Sequence, residues 1–222
     1  MVVRLLEASA VSSDARILDV GCASGRLIEA LKSRGHDVVT GVDVSAEAIA
    51  ACRERGLADV HVMPADHLEF PEASYDVLIA SDVLEHIEDD RRALLEWRRV
   101  LKPRGQLFIF VPAFMFLWSQ HDVVNHHFRR YDRDALQARL LEAGFDVDRL
   151  AGWNISLLLP AAALRSLRRL ANQNDVLHHD LQLPKPWVNR ALSTLLTAEN
   201  RLLQSRSLGP GISLFAVATK PE

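Results

Sequence analysis

ILDVGCASGRLIEALKSRG, residues Ile17–Gly35, is the stretch that decides the fold. Arg16–Val20 has the length and apolar content of a buried strand, and it halts at Gly21. Small residues follow at Ala23, Ser24 and Gly25, after which Leu27, Ala30 and Leu31 recur at helical spacing over Ser24–Arg34. A strand that turns into a helix over small residues opens a doubly wound α/β unit. Reading outward, HDVVTGVD (His36–Asp43) is a second strand and SAEAIAACRERG (Ser45–Gly56) a helix. That helix has a serine cap, Glu47 in its first turn and a terminal glycine. Strands three and four are ADVHVM (Ala58–Met63) and SYDVLIA (Ser74–Ala80). A helix over Asp89–Leu101, closed by Lys102-Pro103-Arg104-Gly105, precedes strand five, QLFIFV (Gln106–Val111). A helix Arg133–Ala143 and a strand Phe145–Leu150 continue the pattern, and Gly211–Lys220 is the last strand. Repeated right-handed strand–helix–strand units imply a mostly parallel sheet with helices on both faces.

The chain has 222 residues, 49% hydrophobic and 25% charged, which suits one domain over 1–222 carrying an insertion. A formal net charge of -3 gives no electrostatic reason to expect nucleic acid. Cys22 and Cys52 stand outside any CxxC spacing and read as reduced thiols. MVVRLLEASAVSSDAR lacks the apolar core of a secretion signal, and the longest apolar run, Leu157–Leu164, is too short to cross a bilayer. The expected location is the cytoplasm.

Gly21–Gly25 with Asp43 at the end of strand two fits either a nicotinamide dinucleotide or S-adenosylmethionine. Two residues separate these. The dinucleotide fingerprint has a small residue where this chain has Arg26. It also brings a pyrophosphate to the helix N-terminus, where Asp19 would repel it. A cofactor bearing an ammonium group would favour that acid, so the residues point to a methyl donor.

ILDVGCASG (Ile17–Gly25) resembles the first motif of the class I S-adenosylmethionine-dependent methyltransferases, with Ala23 replacing the commoner middle glycine. GVDVS (Gly41–Ser45) is similar to their acidic second motif. ADHLEFPEASYDVLIASDVLEHI (Ala65–Ile87) and LKPRGQLFIFVP (Leu101–Pro112) are similar to the later ones. The resemblance covers residues 15–150 and the final strand. It implies a Rossmann-like seven-stranded sheet in order 3-2-1-4-5-7-6, the last strand antiparallel. It also implies that Gly21, Ala23 and Gly25 line the methionine portion of S-adenosyl-L-methionine. Asp43 would hold its ribose and Asp66 its adenine amino group, with Ser81 in contact through backbone.

On the acceptor side, methyl transfer from a sulfonium mainly needs alignment, desolvation and removal of any acceptor proton. Ser81-Asp82-Val83-Leu84-Glu85-His86 departs from the Pro-Pro-aromatic tetrapeptide of exocyclic-amine methyltransferases on nucleic acid. His86 itself reads as a backbone-bonded histidine at a helix start. SQHDVVNHHFRRYDR (Ser119–Arg133) gathers the acceptor-side candidates. His126 or His127 would be the base, Arg130 would orient an anionic group, and Tyr131 would pack or donate a hydrogen bond. His121, Asp122 and His126 lack metal-ligand spacing, and no metal is expected. The segment resembles one recurring in bacterial methyltransferases near polysaccharide and lipid-glycan pathways. The expected acceptor is thus an O or N of a small or lipid-linked molecule, a quinone or polyketide type being the nearest alternative. A protein that binds the cofactor without turnover, as sensor or scaffold, is the reading outside enzymes.

Residues 151–210 read as a helical insertion. Leu164, Leu167 and Leu170 oppose Arg165, Arg168 and Arg169, and a second stripe carries Val188, Ala191, Leu192, Leu195 and Leu202. A lid on the sheet is expected, and peripheral contact with the inner face of the membrane or a homodimer are other uses of such stripes. Pro184-Lys185-Pro186 is the stiff joint inside it.

Overall fold

Strand β1 (Ile17–Val20) is buried along its whole length, with β2 (Val39–Asp43) on one side and β4 (Tyr75–Ser81) on the other, both parallel to it. β3 (Val60–Val62) extends the sheet beyond β2, and β5 (Leu101–Pro112) beyond β4. β7 (Ser213–Thr219) runs antiparallel to β5 and to the edge strand β6 (Asp146–Trp153), giving the order β3-β2-β1-β4-β5-β7-β6. This is the expected sheet. The computed structural model describes residues 1–170, 186–202 and 209–222.

Alternation along the strands divides the core into two layers. Leu18, Val20, Leu107, Ile109 and Val111 face α4 (Asp90–Val100) and α6 (Arg133–Glu142), around Trp97 and Phe145. Ile17, Phe108, Phe110 and Phe215 face the other way, onto α1 (Val2–Ala8), α2 (Arg26–Lys32) and α3 (Ala46–Glu54). The Ser45 hydroxyl caps α3 by accepting from the Ala48 N–H at 3.1 Å.

Two sequence boundaries need correction. Lys102-Pro103-Arg104-Gly105 is not outside the sheet. β5 begins at Leu101 and bulges, its register jumping from Tyr75↔Leu101 to Val77↔Gln106. The Lys102 ammonium reaches back to Asp76 at 2.8 Å across that bulge. Ala151 likewise falls inside β6, because Ala151, Gly152 and Trp153 pair with Phe215, Leu214 and Ser213. A side chain at Gly152 would meet the Gly209 carbonyl oxygen at 2.4 Å, so this glycine permits a close backbone approach instead of ending the strand.

The described insertion consists of a short 3-10 turn at Ile155–Leu157, α7 (Leu158–Leu170) and α8 (Pro186–Leu202). Glu199 of α8, buried, accepts from the Ile155 and Ser156 N–H groups at 2.7 and 3.0 Å and from the Ser156 hydroxyl. Trp153 Nε1 donates to Asn200 Oδ1 at 2.8 Å. These bonds tie the end of α8 to the end of β6. Leu195 of the expected second stripe is 46% exposed, and Leu159, outside both expected stripes, is 80% exposed. Pro184 and Lys185 lie outside the described residues, as do the side chains of Leu164, Leu167, Arg168, Arg169, Leu170, Val188, Ala191 and Leu202. Among the described residues, no helix is long and apolar enough to cross a membrane.

Candidate active site

The C-terminal ends of β1, β2 and β4 lie side by side, with Val20 paired to Val42 and to Ala80. The chain leaves β1 through three left-handed residues, Gly21 (φ +72°), Ala23 (φ +45°) and Gly25 (φ +77°). The Gly21 and Cys22 N–H groups both donate to the Val42 carbonyl, at 2.8 and 2.9 Å, which folds the loop over the end of β2. A Cβ at Gly21 would sit 2.4 Å from Val83 Cγ2, so only glycine fits. Asp43 completes the turn: Oδ2 accepts from Ala23 N–H at 2.8 Å and Oδ1 from Ser45 N–H at 2.9 Å. Its carboxylate therefore builds the loop as well as facing the cleft, and each oxygen keeps a lone pair for another donor.

This loop forms part of a cleft of about 660 Å³ whose lining includes Gly21, Ala23, Asp43, Asp66 and Ser81. Five of the seven cofactor residues expected from sequence thus converge. Gly25 is instead the N-cap of α2, packed on Leu57 and Cys52. Asp19 lies in β1 just before the loop, 2% exposed, and its Oδ2 is buried without a partner. Burial, with the charge of Asp43 adding to it, pushes its carboxyl up to about 7. An orphaned acid there, beside a turn that only glycine can make, fits a cofactor carrying an ammonium group. Asp66 is held in place by α4. Trp97 Nε1 donates to the Ala65 carbonyl at 2.8 Å, and Arg99 donates to the Leu68 and Phe70 carbonyls, each at 2.8 Å.

His86 and Phe128 also line the cleft. Asp82 has φ +55° and starts a 3-10 turn, Leu84–His86, that swings the chain across the end of β4. The segment after β5, which contains the short helix α5 (Gln120–Val124), is stitched to that turn, for Phe128 N–H donates to the Glu85 carbonyl at 2.8 Å. This brings His86 and His127 edge to face, with ring centroids 4.5 Å apart. Burial and the neighbouring His127 lower the His86 pKa. His127 Nδ1 lies 3.0 Å from Asp122 Oδ1.

The structure revises several acceptor-side expectations. Arg130 is buried, its guanidinium gripping both Asp122 oxygens at 2.7 and 3.1 Å and donating to the Ala113 carbonyl. With its donors occupied inside the protein, it holds the segment in shape and is not placed to orient an acceptor. His126 is exposed at φ +56°, and neither it nor His127 is among the cleft-lining residues; His127 reaches the cleft only through its ring contact with His86. Tyr131 donates to Asp90 at 2.9 Å in the core. Asp122, despite burial, is held below the usual carboxylate range by Arg130 and the Ser119 N–H. His86 is backbone-bonded as read from sequence, to Asn125, and it also lines the cleft. Glu85 was missed: its side chain is fully buried, neither oxygen has a hydrogen-bond partner, and burial together with Asp82 pushes it up to about 8. Only the apolar context of VLEHI hinted at that burial.

Comparison with known proteins gives a consistent picture. A family profile described as a methyltransferase domain matches residues 18–109. The ubiquinone biosynthesis O-methyltransferase of Pseudomonas aeruginosa is 30% identical over 181 residues, covering 72% of this chain and 75% of that protein. Among solved structures, the cyclase SpnF superposes with a TM-score of 0.64 at 24% identity, over 98% of this chain and 79% of that one. Phosphoethanolamine N-methyltransferase 2 of Haemonchus contortus, in complex with S-adenosyl-L-methionine, gives 0.64 at 20% identity, over 100% of this chain and 52% of that one.

Proposed function

Since the chain belongs to the class I S-adenosylmethionine-dependent methyltransferases, we propose that it methylates a hydroxyl oxygen on a small, largely apolar or lipid-linked acceptor. The observation that carries this reading is the single cleft lined by both the Gly21–Asp43 loop and the His86–Phe128 rim. Oxygen as the acceptor atom is supported by the relatives named O-methyltransferases. The apolar character is supported by Phe128, Met115 and Phe116, which are 50%, 55% and 53% exposed on the segment that follows β5.

When bound, S-adenosylmethionine supplies an electrophilic methyl group on a sulfonium whose departure leaves a neutral thioether. Asp19 would hold its ammonium, Asp43 its ribose hydroxyls and Asp66 its adenine amino group, with Gly21, Ala23 and Ser81 lining the rest of the cleft. An acceptor hydroxyl must lose its proton as the new C–O bond forms. His86 and His127 serve that loss, His127 being oriented by Asp122 and Asp122 by Arg130. The insertion covers the acceptor from the β6 side. Contact with a membrane surface or a second copy is the other use of these helices, with the exposed Leu159 and Leu195 as the residues to test.

The test is turnover with hydroxyl-bearing and amine-bearing acceptors matched in shape, ring and lipid-linked compounds included, with the product methyl located by mass spectrometry. S-adenosylhomocysteine release with an ether product is expected. A methylamine product, or no release with any hydroxyl acceptor, would overturn the reading.

A further inference from the structure

Glu85 poses a physical problem that the cofactor cleft does not solve. A carboxylate with both oxygens buried and unpartnered is costly, and such groups are retained where something missing from the polypeptide satisfies them. Fully buried side-chain oxygens leave no room for an organic cation, whereas a bare ion needs only a small adjustment of the ligand side chains.

One ligand atom each from Glu85, His86 and His127 lie within 4.8 Å of one another, the one such group among the described residues. We propose that these three side chains hold a divalent transition-metal ion whose open position faces the cleft. Two imidazoles and one carboxylate suit zinc, iron or cobalt better than magnesium. Ligand bonds of about 2.0–2.2 Å place ligand atoms roughly 3.4 Å apart, so closing the group needs about 1 Å of side-chain movement.

The surroundings are those of a built site. His127 Nδ1 is engaged by Asp122 at 3.0 Å, which fixes the tautomer and leaves Nε2 with its lone pair free. Carboxylate–histidine–metal arrangements use this same device to orient the ligand and raise its basicity. Asp122 is fixed in turn by Arg130 and by the Ser119 N–H. The Phe128 N–H bond to the Glu85 carbonyl sets the distance between the two segments that supply ligands. His86, which lines the cleft, puts the open side toward the acceptor.

The use of such an ion rests on the O-methyl-transfer reading. An acceptor hydroxyl bound to it is more acidic, so its proton leaves to solvent before the oxygen attacks the methyl carbon. His86 and His127 then promote proton loss as ligands, not as free bases.

Cobalt(II) titration into the full, tag-free chain tests the site without any acceptor. Visible d–d absorption saturating at one ion per chain is expected, reversed by zinc. Glu85→Gln, His86→Ala and His127→Ala should each weaken binding at least tenfold, and Asp122→Asn about 10–100-fold. His121→Ala should leave it unchanged. Retained S-adenosylmethionine binding by calorimetry checks that each variant is folded. Anomalous diffraction from a cobalt-soaked wild-type crystal needs no variant and should place the ion between the three side chains. No stoichiometric binding, binding insensitive to Glu85→Gln in a folded variant, or an ion elsewhere would overturn the proposal. Metal binding without turnover on any hydroxyl would instead count against the functional reading alone.

Discussion

Ala23 adopts φ +45° in the middle of the cofactor loop, where its Cβ gains nothing from the left-handed region. That conformation costs an L residue about 1–2 kcal/mol, and glycine recovers part of it while adding freedom to the unfolded chain. Ala23→Gly should therefore raise unfolding stability by up to about 1 kcal/mol, read from urea melts, and leave the loop bonds intact. A loss of stability would mean the methyl group packs usefully. Asp19 gives a pH signature. Its folded value of about 7 lies above the unfolded 3.8, so its contribution to stability is fully present below the unfolded value and lost as pH rises through 7. Cofactor binding asks the reverse, since an ammonium needs the ionised acid. Affinity for S-adenosylmethionine should be about tenfold weaker at pH 6 than at pH 7.5, and Asp19→Asn should flatten that dependence while lowering affinity. A flat wild-type profile would remove Asp19 from the ammonium site.

At the scale of elements, the glycine loop and Asp43 were legible because short-range rules govern them, whereas Asp66 and Ser81 came only with the family resemblance. Strand length, small residues and a strand-end acid are local signals, and these elements meet only through neighbouring strand ends. What the sequence hid was tertiary. His86 meets His127, and Glu85 loses its solvent, because a backbone bond from Phe128 joins two segments about forty residues apart. Arg130 looked like an anion receptor because nothing in the sequence says that Asp122 turns back onto it. Gly152 was read past the end of β6 for a similar reason: its role depends on Gly209 and Gly211, far along the chain. Gly152→Ala should push β6 off that backbone and destabilise the protein by about 1–3 kcal/mol, the usual range for overpacking. A neutral result would show that the insertion ends shift freely. For α7 and α8, flotation with anionic vesicles distinguishes the uses of the uncovered leucines. Salt-sensitive binding lost in Leu159→Ser and Arg165→Ala would assign them to a membrane, and its absence at low salt would leave a cover or a second copy.

For the molecule as a whole, the parallel sheet sends the ends of β1, β2 and β4 to one edge, and each end contributes one part of the cleft's lining. The strand order and the antiparallel β7 were implied by the family resemblance that the motifs carry, and both are found. The acceptor is less constrained by fold, since neighbours of near-equal similarity include a cyclase and an N-methyltransferase. On the proposed reading, function depends on what His86, and His127 behind it, add to the cleft. The direct measurement is S-adenosylhomocysteine release with a hydroxyl acceptor, in wild-type protein and in His86→Ala and His127→Ala, alongside calorimetric cofactor affinity. If these histidines promote proton loss, kcat falls at least about 10²-fold in each variant while the cofactor Kd stays within a few-fold. Near wild-type kcat in both variants would contradict it.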